Sequence, residues 1–241
     1  MNASDGIIRL PTVGLLLALF LAGCAGSPPI NLYTLSALGL PSTDTRAPQS
    51  TPAVVAVGPV TLPDYIDRPQ IVTRKSAHQL ELAAYDHWAA PLYDMLPRVL
   101  IENLALRLPS DRVVSFPQVS EASFDYRVAV DVSRFDVDAT GESTLAARWQ
   151  LYSRSTPRAL LIADELSRRR TDGQGYGSYA AALSAVLADL ADRIAQALNS
   201  ARATAARPLA GAGQDGDAAE QSPTPSPSTP IRSRSVAVSA R

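Results

Sequence analysis

The residue types that could do chemistry are few in this chain, and most of them are badly spaced for it. There are two histidines, His78 and His87. A metal site needs about three or four convergent ligands, and Asp86, next to His87 in sequence, is badly placed to join it on one ion. No serine lies in a Gly-x-Ser-x-Gly elbow. Two carboxylate pairs stand out, Asp136 with Asp138 and Asp164 with Glu165. The first pair shares a strand side, and solvated charge accounts for both. Arg168, Arg169 and Arg170 could hold a phosphate through bidentate bonds, or simply solvate a strand end. The glycines of 172–178, DGQGYGS, do not follow an apolar strand in the phosphate-binding order, so they read as a loop before a helix.

One residue has both the type and the setting for a reaction. Cys24 is the lone cysteine, in LAGCAGS, directly after the apolar run Val13–Ala22. That run is about ten residues, half the roughly 20 that a spanning helix needs and within the 7 to 15 or so of a signal-peptide core. Small residues, Ala22 and Gly23, precede the sulfur. The stretch resembles a bacterial lipobox, which implies diacylglycerol transfer to the Cys24 sulfur, cleavage between Gly23 and Cys24, and acylation of the new amine. These covalent chains are the only attached groups expected; no cofactor is. A single acyl chain holds a membrane marginally, and two or more hold it stably. Ala25 replaces the aspartate that retains such proteins at the inner membrane, which points to the periplasmic face of the outer membrane of a Gram-negative bacterium. With no second cysteine, no disulfide can form within the chain.

The elements that would position any site lie between two polar ends. The reading divides the chain into a signal peptide over 1–23, an acylated N-terminus with a short strand and linker over 24–52, one domain over 53–200, and an Ala/Pro/Ser-rich tail over 201–241 that has too few large apolar residues to order itself. Lys+Arg number 22 and Asp+Glu 23, and so balanced a charge argues against nucleic acid, which calls for a basic patch.

Within the domain, strands are predicted at 31–36, 53–62, 71–74 and 79–83, the last two as a hairpin. A helix should run from Pro91 to Leu108, with Pro97 kinking it or marking a late start. Strands follow at 112–116 and from Phe124 onward. In that second strand the apolar positions change parity after Val132, as Phe135 and Val137 show, so a β-bulge is expected near Ser133 and Arg134. Gly141 closes a hairpin to a strand bearing Leu145, Ala147, Trp149 and Leu151, and another strand spans 159–168. Tyr179, Leu183, Val186, Leu187, Leu190, Ile194 and Leu198 then mark an amphipathic helix. The fold class expected is α+β: a mainly antiparallel sheet with two helices packed on one face, in the order strands, helix, strands, helix.

The unusual stretch is GPVTLPDYIDRPQIVTR, 58–74, where three prolines interrupt any ladder and Tyr65 and Ile66 stand in a polar turn. Two readings remain open. Tyr65 and Trp88 serve as aromatic anchors for a partner, or they cover the sheet edge.

These blocks carry a resemblance. The Leu-Ala-Gly-Cys motif, YTL, VGPVTLPDYIDRPQIVTR, HWAAPL before a helix, a strand ending RFDVD, ARWQL and YAAALSAVLADLADRIAQAL together resemble the ABC-type transport auxiliary lipoprotein family over about 24–200. The resemblance implies a non-enzymatic, outer-membrane lipoprotein. It would work with an MCE-domain protein and, through it, an ABC transporter in moving lipid or organic solvent. It also implies assembly in homo-oligomeric rings. We place the expected partner surface on Leu62, Asp64, Tyr65, Asp67, Arg68 and Trp88. The alternative is a free-standing envelope lipoprotein that binds a lipid or cell-wall fragment.

Overall fold

The computed structural model describes residues 28–39, 52–108, 111–117 and 123–205. Gly23, Cys24, the expected signal peptide, most of the 37–52 linker and the tail beyond Ala205 lie outside the described residues. The described elements through Thr204 belong to one compact unit. They are β1 (Asn31–Tyr33), β2 (Val54–Thr61), β3 (Gln70–Ser76), β4 (Gln79–Trp88), α1 (Leu92–Arg107), β5 (Arg112–Ser115), β6 (Tyr126–Asp138), β7 (Glu142–Ser153), β8 (Ala159–Arg170) and α2 (Tyr176–Ala205). The chain order is the expected one.

The sheet departs from expectation. It is a mixed sheet of eight strands in which four of the seven pairings are parallel: β1 with β4, and β2 with β5, β6 with β2, and β3 with β6. Only β3–β4, β6–β7 and β7–β8 are antiparallel. The expectation of a mainly antiparallel sheet came from joining neighbours in sequence as hairpins. Only three of the connections are hairpins. The parallel pairings are long-range, and β5 reaches β2 through the α1 crossover that a parallel pair requires.

β6 organises the sheet. Val128, Val130 and Val132 are buried, then the register against β7 shifts between Val132 and Arg134, and Phe135 and Val137 take over as core residues. This is the bulge that the change of parity predicts. Buried side chains of β2, β3, β6 and β7 join those of α1 and α2 in one apolar cluster, so both helices cover the same face. Burial of this cluster stabilises the fold at about 25 cal/mol per Å² of apolar surface.

α1 has no late start. It runs through Pro97, burying Leu92, Met95, Leu96, Val99, Leu100, Asn103 and Leu104. β1 stops at Tyr33, short of the expected Ser36, because the chain leaves the sheet for the helices. The Leu35 amide donates to Met95 Sδ, Ser36 to Ser184 Oγ and Leu38 to Asn103 Oδ1. α2 also runs past Leu198 to Ala205, and Arg202 explains why: Nη1 bonds Asp111 at 2.7 Å while the guanidinium lies over the Tyr126 ring.

Candidate functional site

The β2–β3 loop occupies a break in the sheet. β2 pairs with β6 as far as Thr61–Asp131, and β3 pairs with the same side of β6 only at Thr73–Val137 and Arg74–Asp138. Between these points β6 has no strand neighbour on that side. Loop 62–70 fills the space with side chains. Ile66 enters the core, 1% exposed. Tyr65, beside it, directs its hydroxyl to Asp136 Oδ2 at 3.4 Å.

Asp136 is fully buried and carries the polar side of this plug. Arg74 Nε and Nη2 donate to its Oδ2 at 3.0 and 2.7 Å, and Arg134 Nε donates to its Oδ1 at 2.8 Å. Arg74 also lies over the Tyr65 ring. The hydrogen bonds to Asp136 raise the Arg74 guanidinium pKa above its usual value. Burial, and then the Asp136 charge, raise the Tyr65 phenol. Guanidiniums engage both carboxylate oxygens, so ion pairs on two sides hold Asp136 in place. The expectation that Asp136 and Asp138 are solvated charges is wrong for Asp136. Its neighbour serves elsewhere: Asp138 accepts from the Thr140 hydroxyl and from the Thr140 and Glu142 amides in the β6–β7 turn. Burial raises the Asp138 pKa, but these bonds more than offset it and the net direction is down.

The proposed contact residues divide by exposure. Asp64 and Asp67 are exposed, and Leu62, Tyr65 and Arg68 are half-buried. Trp88 is 5% exposed and belongs to the core. Its amide donates to the Pro69 carbonyl at 2.7 Å, so it supports the loop from beneath and presents no ring to a partner. Asp67 joins the loop to α1, its Oδ1 accepting the Tyr93 amide at 3.4 Å.

Beyond Tyr93 opens a groove that sequence reasoning missed. Its volume is about 480 Å³, and Pro59, Val60, Tyr93, Pro97, Ile101 and Phe116 give its apolar walls. Gly58 shapes one end: it has φ +137°, and a Cβ there would stand 2.5 Å from the Phe116 carbonyl oxygen. The Gly-Pro and Pro97 positions were the only sequence signal, and both read as breakers. The groove is within the 300–1,000 Å³ or so of small-ligand sites.

The remaining candidates lie apart. His78 is exposed in the β3–β4 turn and His87 is in β4. No three His, Cys, Asp or Glu side chains converge on a metal-sized space among the described residues. Arg169 is paired with Asp189 at 2.6 Å, and Arg168 lies 3.6 Å from Glu142. A polar cleft of about 430 Å³ runs between β8 and α2. There burial raises the Glu165 carboxyl pKa. Burial pushes Asp189 the same way, but hydrogen bonds from Arg169 and Ser167 outweigh it and lower the pKa. No described helix is long and apolar enough to cross a membrane.

The class is therefore a mixed α+β domain in which a partly acidic loop fills a break in the sheet beside β6. The family follows from comparison. The model of the ABC-type transport auxiliary lipoprotein component matches residues 33–195, and the chain belongs to that family. It is 31% identical over 135 residues to the intermembrane transport lipoprotein PqiC of Escherichia coli (strain K12), covering 56% of this chain and 70% of that protein, and it matches PqiC of Shigella flexneri to the same extent. The crystal structure of protein XCC0632 from Xanthomonas campestris aligns with TM-score 0.59 and 20% identity over 73% of this chain and 99% of that one. An uncharacterized protein of known crystal structure aligns with TM-score 0.59 and 22% identity, over 71% and 99%. These two share the fold. The family is one of transport auxiliary lipoproteins and is not known as an enzyme family.

Proposed function

We propose that this protein is the docking component of an ABC/MCE-type lipid or organic-solvent transport system. Acyl chains on Cys24 tether it to the periplasmic face of the outer membrane, and loop 62–70 meets the MCE-domain protein there. Copies of the chain assemble as a ring about the end of the conduit. The observation that carries the docking surface is the construction of the loop. Two exposed carboxylates, Asp64 and Asp67, stand on a segment pinned by Ile66 in the core and Tyr65 on the Arg74–Asp136 pair. A pre-ordered loop loses little conformational entropy on binding. Leu62 and Arg68 complete its rim.

Substituting Asp64→Ala and Asp67→Ala together should reduce recovery of the MCE-domain protein with the tagged lipoprotein while leaving the folded lipoprotein at normal abundance. Unchanged recovery would move the docking surface elsewhere. Cys24→Ser should abolish labelling by radioactive palmitate and release the protein from the membrane fraction. Native mass spectrometry of the acylated protein reads the ring directly.

The groove beside Tyr93 favours the second reading, a free-standing lipoprotein that captures a lipid or cell-wall fragment. Lipid retained by wild type and lost on Ile101→Trp, with no MCE-domain protein recovered, would establish that reading instead.

A further inference from the structure

The β3–β4 hairpin extends past its pairing with β6. β3 is held by β6 only at Thr73 and Arg74, and every residue from Lys75 to Leu82 is exposed. Leu80 and Leu82 are 37% and 51% exposed and share one side of β4. Further aliphatic and aromatic surface flanks them along the same edge, in Tyr85 of β4, Leu32 of β1 and Ile30 just before it, at 46%, 66% and 57%.

The direction of this edge is fixed by register. β1 runs parallel to β4, with Asn31 opposite Asp86 and Tyr33 opposite Trp88. Two side-chain bonds hold that alignment, from Asn31 Nδ2 and the Tyr33 hydroxyl to Asp86 Oδ1 at 3.0 and 2.8 Å. The start of β1 therefore points the same way as the start of β4, toward the hairpin tip. Lengths on the two sides are alike. From Gln70, opposite His87, to Ser76 the hairpin advances about 20 Å at ~3.3 Å per residue. From Asn31 back to Cys24 the chain can reach at most about 25 Å. The tether is hardly longer than the hairpin. A bilayer holding Cys24 thus lies within reach of the tip, and the tether leaves the domain in the tip's direction.

We propose that the tip of the β3–β4 hairpin, through Leu80 and Leu82, rests in the surface of the bilayer that holds Cys24. This rests on the acylated anchor of the proposed function. The chemistry fits a shallow contact. Leu80 and Leu82 alternate with Gln79 and Glu81, so one side of the strand can meet acyl chains while the other stays at the headgroups. Pairing of Arg74 with Leu80 and Thr73 with Glu81 satisfies the backbone polar groups of β4 that face β3, and a shallow seat leaves those on its open edge among the headgroups and water. Lys75, the chain's single lysine, stands at the tip with a stem long enough to keep its ammonium in water. The contact would fix the tilt of the domain on the membrane, which attachment at one point alone cannot do.

The test uses the full-length acylated protein in vesicles of phosphatidylethanolamine and phosphatidylglycerol. Acylation blocks the native thiol, so Leu80→Cys, Leu82→Cys and Ile162→Cys each offer one labelling site for an environment-sensitive dye. Ile162 is the control, 59% exposed on β8 at the far side of the sheet. Flotation with the vesicles reports the anchor, and dye emission reports the hairpin. The expected result is flotation of all three, with a blue shift and quenching by shallow lipid-borne quenchers at 80 and 82 and neither at 162. With dye at His78→Cys, the pair Leu80→Ser and Leu82→Ser should remove the shift there. Flotation with the same emission at all three sites would overturn the hairpin contact and leave the anchor standing. Failure to float would remove the anchor and the proposal with it. A shift that grows with protein concentration in the Cys24→Ser chain, without vesicles, would assign the leucines to a second copy and overturn the membrane contact.

Discussion

The two flanks of β6 solve one problem in different ways. On one flank β7 follows β6 from Tyr126–Ser153 to Val137–Ser143, and β8 follows β7 for a similar length. Backbone pairs with backbone, and exposed side chains such as Arg148 and Asp164 decorate the surface. On the other flank β2 ends and β3 begins with a gap between them, so side chains complete what strands do not. Ile66 fills the apolar side, and Tyr65, Arg74, Arg134 and Asp136 fill the polar one. A continuous ladder tolerates change at its surface. A plugged gap depends on each residue of the plug, and it holds a loop in place where a partner can use it.

The largest effect should come from the plug. Asp136→Ala leaves Arg74 and Arg134 facing a buried site with no counter-charge, and breaking such a pair costs about 3–5 kcal/mol. Side chains of the two arginines are 20% and 29% exposed, so water relieves part of this and the loss should fall toward the lower figure. Urea unfolding reads it; a loss as small as a surface pair's would erase the contrast between the flanks. Gly58→Ala comes next. The left-handed φ and the approach to the Phe116 carbonyl together should cost about 2 kcal/mol, measured in the same titration.

A smaller effect of opposite sign belongs to the β7–β8 side. Burial raises the Glu165 carboxyl pKa, so its folded pKa exceeds its unfolded one. The folded state is then favoured by protonation below the unfolded pKa, and that advantage is lost as pH rises through the folded pKa. Glu165→Gln should therefore raise the melting temperature at neutral pH, by less than about 1 kcal/mol in stability, and the gain should vanish in acid. Thermal melts across pH check both parts. Smallest of all, replacing both Arg148 and Asp164 by alanine should leave the melting temperature unchanged. That pair is open to water, although the hydrogen bond from Arg148 lowers the Asp164 pKa.

The difference between the flanks also decides what the sequence could reveal. Alternation in 126–132, its slip at the bulge, Gly141 in its turn and the heptad-like run of α2 are local signals, and they placed β6, β7, β8 and α2. The pairing of β2 with β5 and β6, and of β1 with β4, carries no local signal, so the sheet's parallel character was misread. Asp136 looked like any strand carboxylate because two of its three partners, Tyr65 and Arg74, are far away in sequence, and Arg134 beside it gives no sign of burial. Trp88 looked like an anchor because burial by packing is invisible in one chain. Loop 62–70 was found, since its prolines and its out-of-place Tyr-Ile pair mark a break in regular structure. The groove beside Tyr93 was not, because its walls come from three separate segments, β2, α1 and the end of β5, and read as breakers or core.

The most direct test of loop 62–70 as the docking surface is in-cell photocrosslinking from three positions on the tagged lipoprotein: Asp64, Asp67 and Ser155, the last an exposed turn residue between β7 and β8. A crosslink to the MCE-domain protein is expected from Asp64 and Asp67 and none from Ser155. A crosslink from Ser155 alone, or none from any of the three in correctly anchored protein, would contradict it.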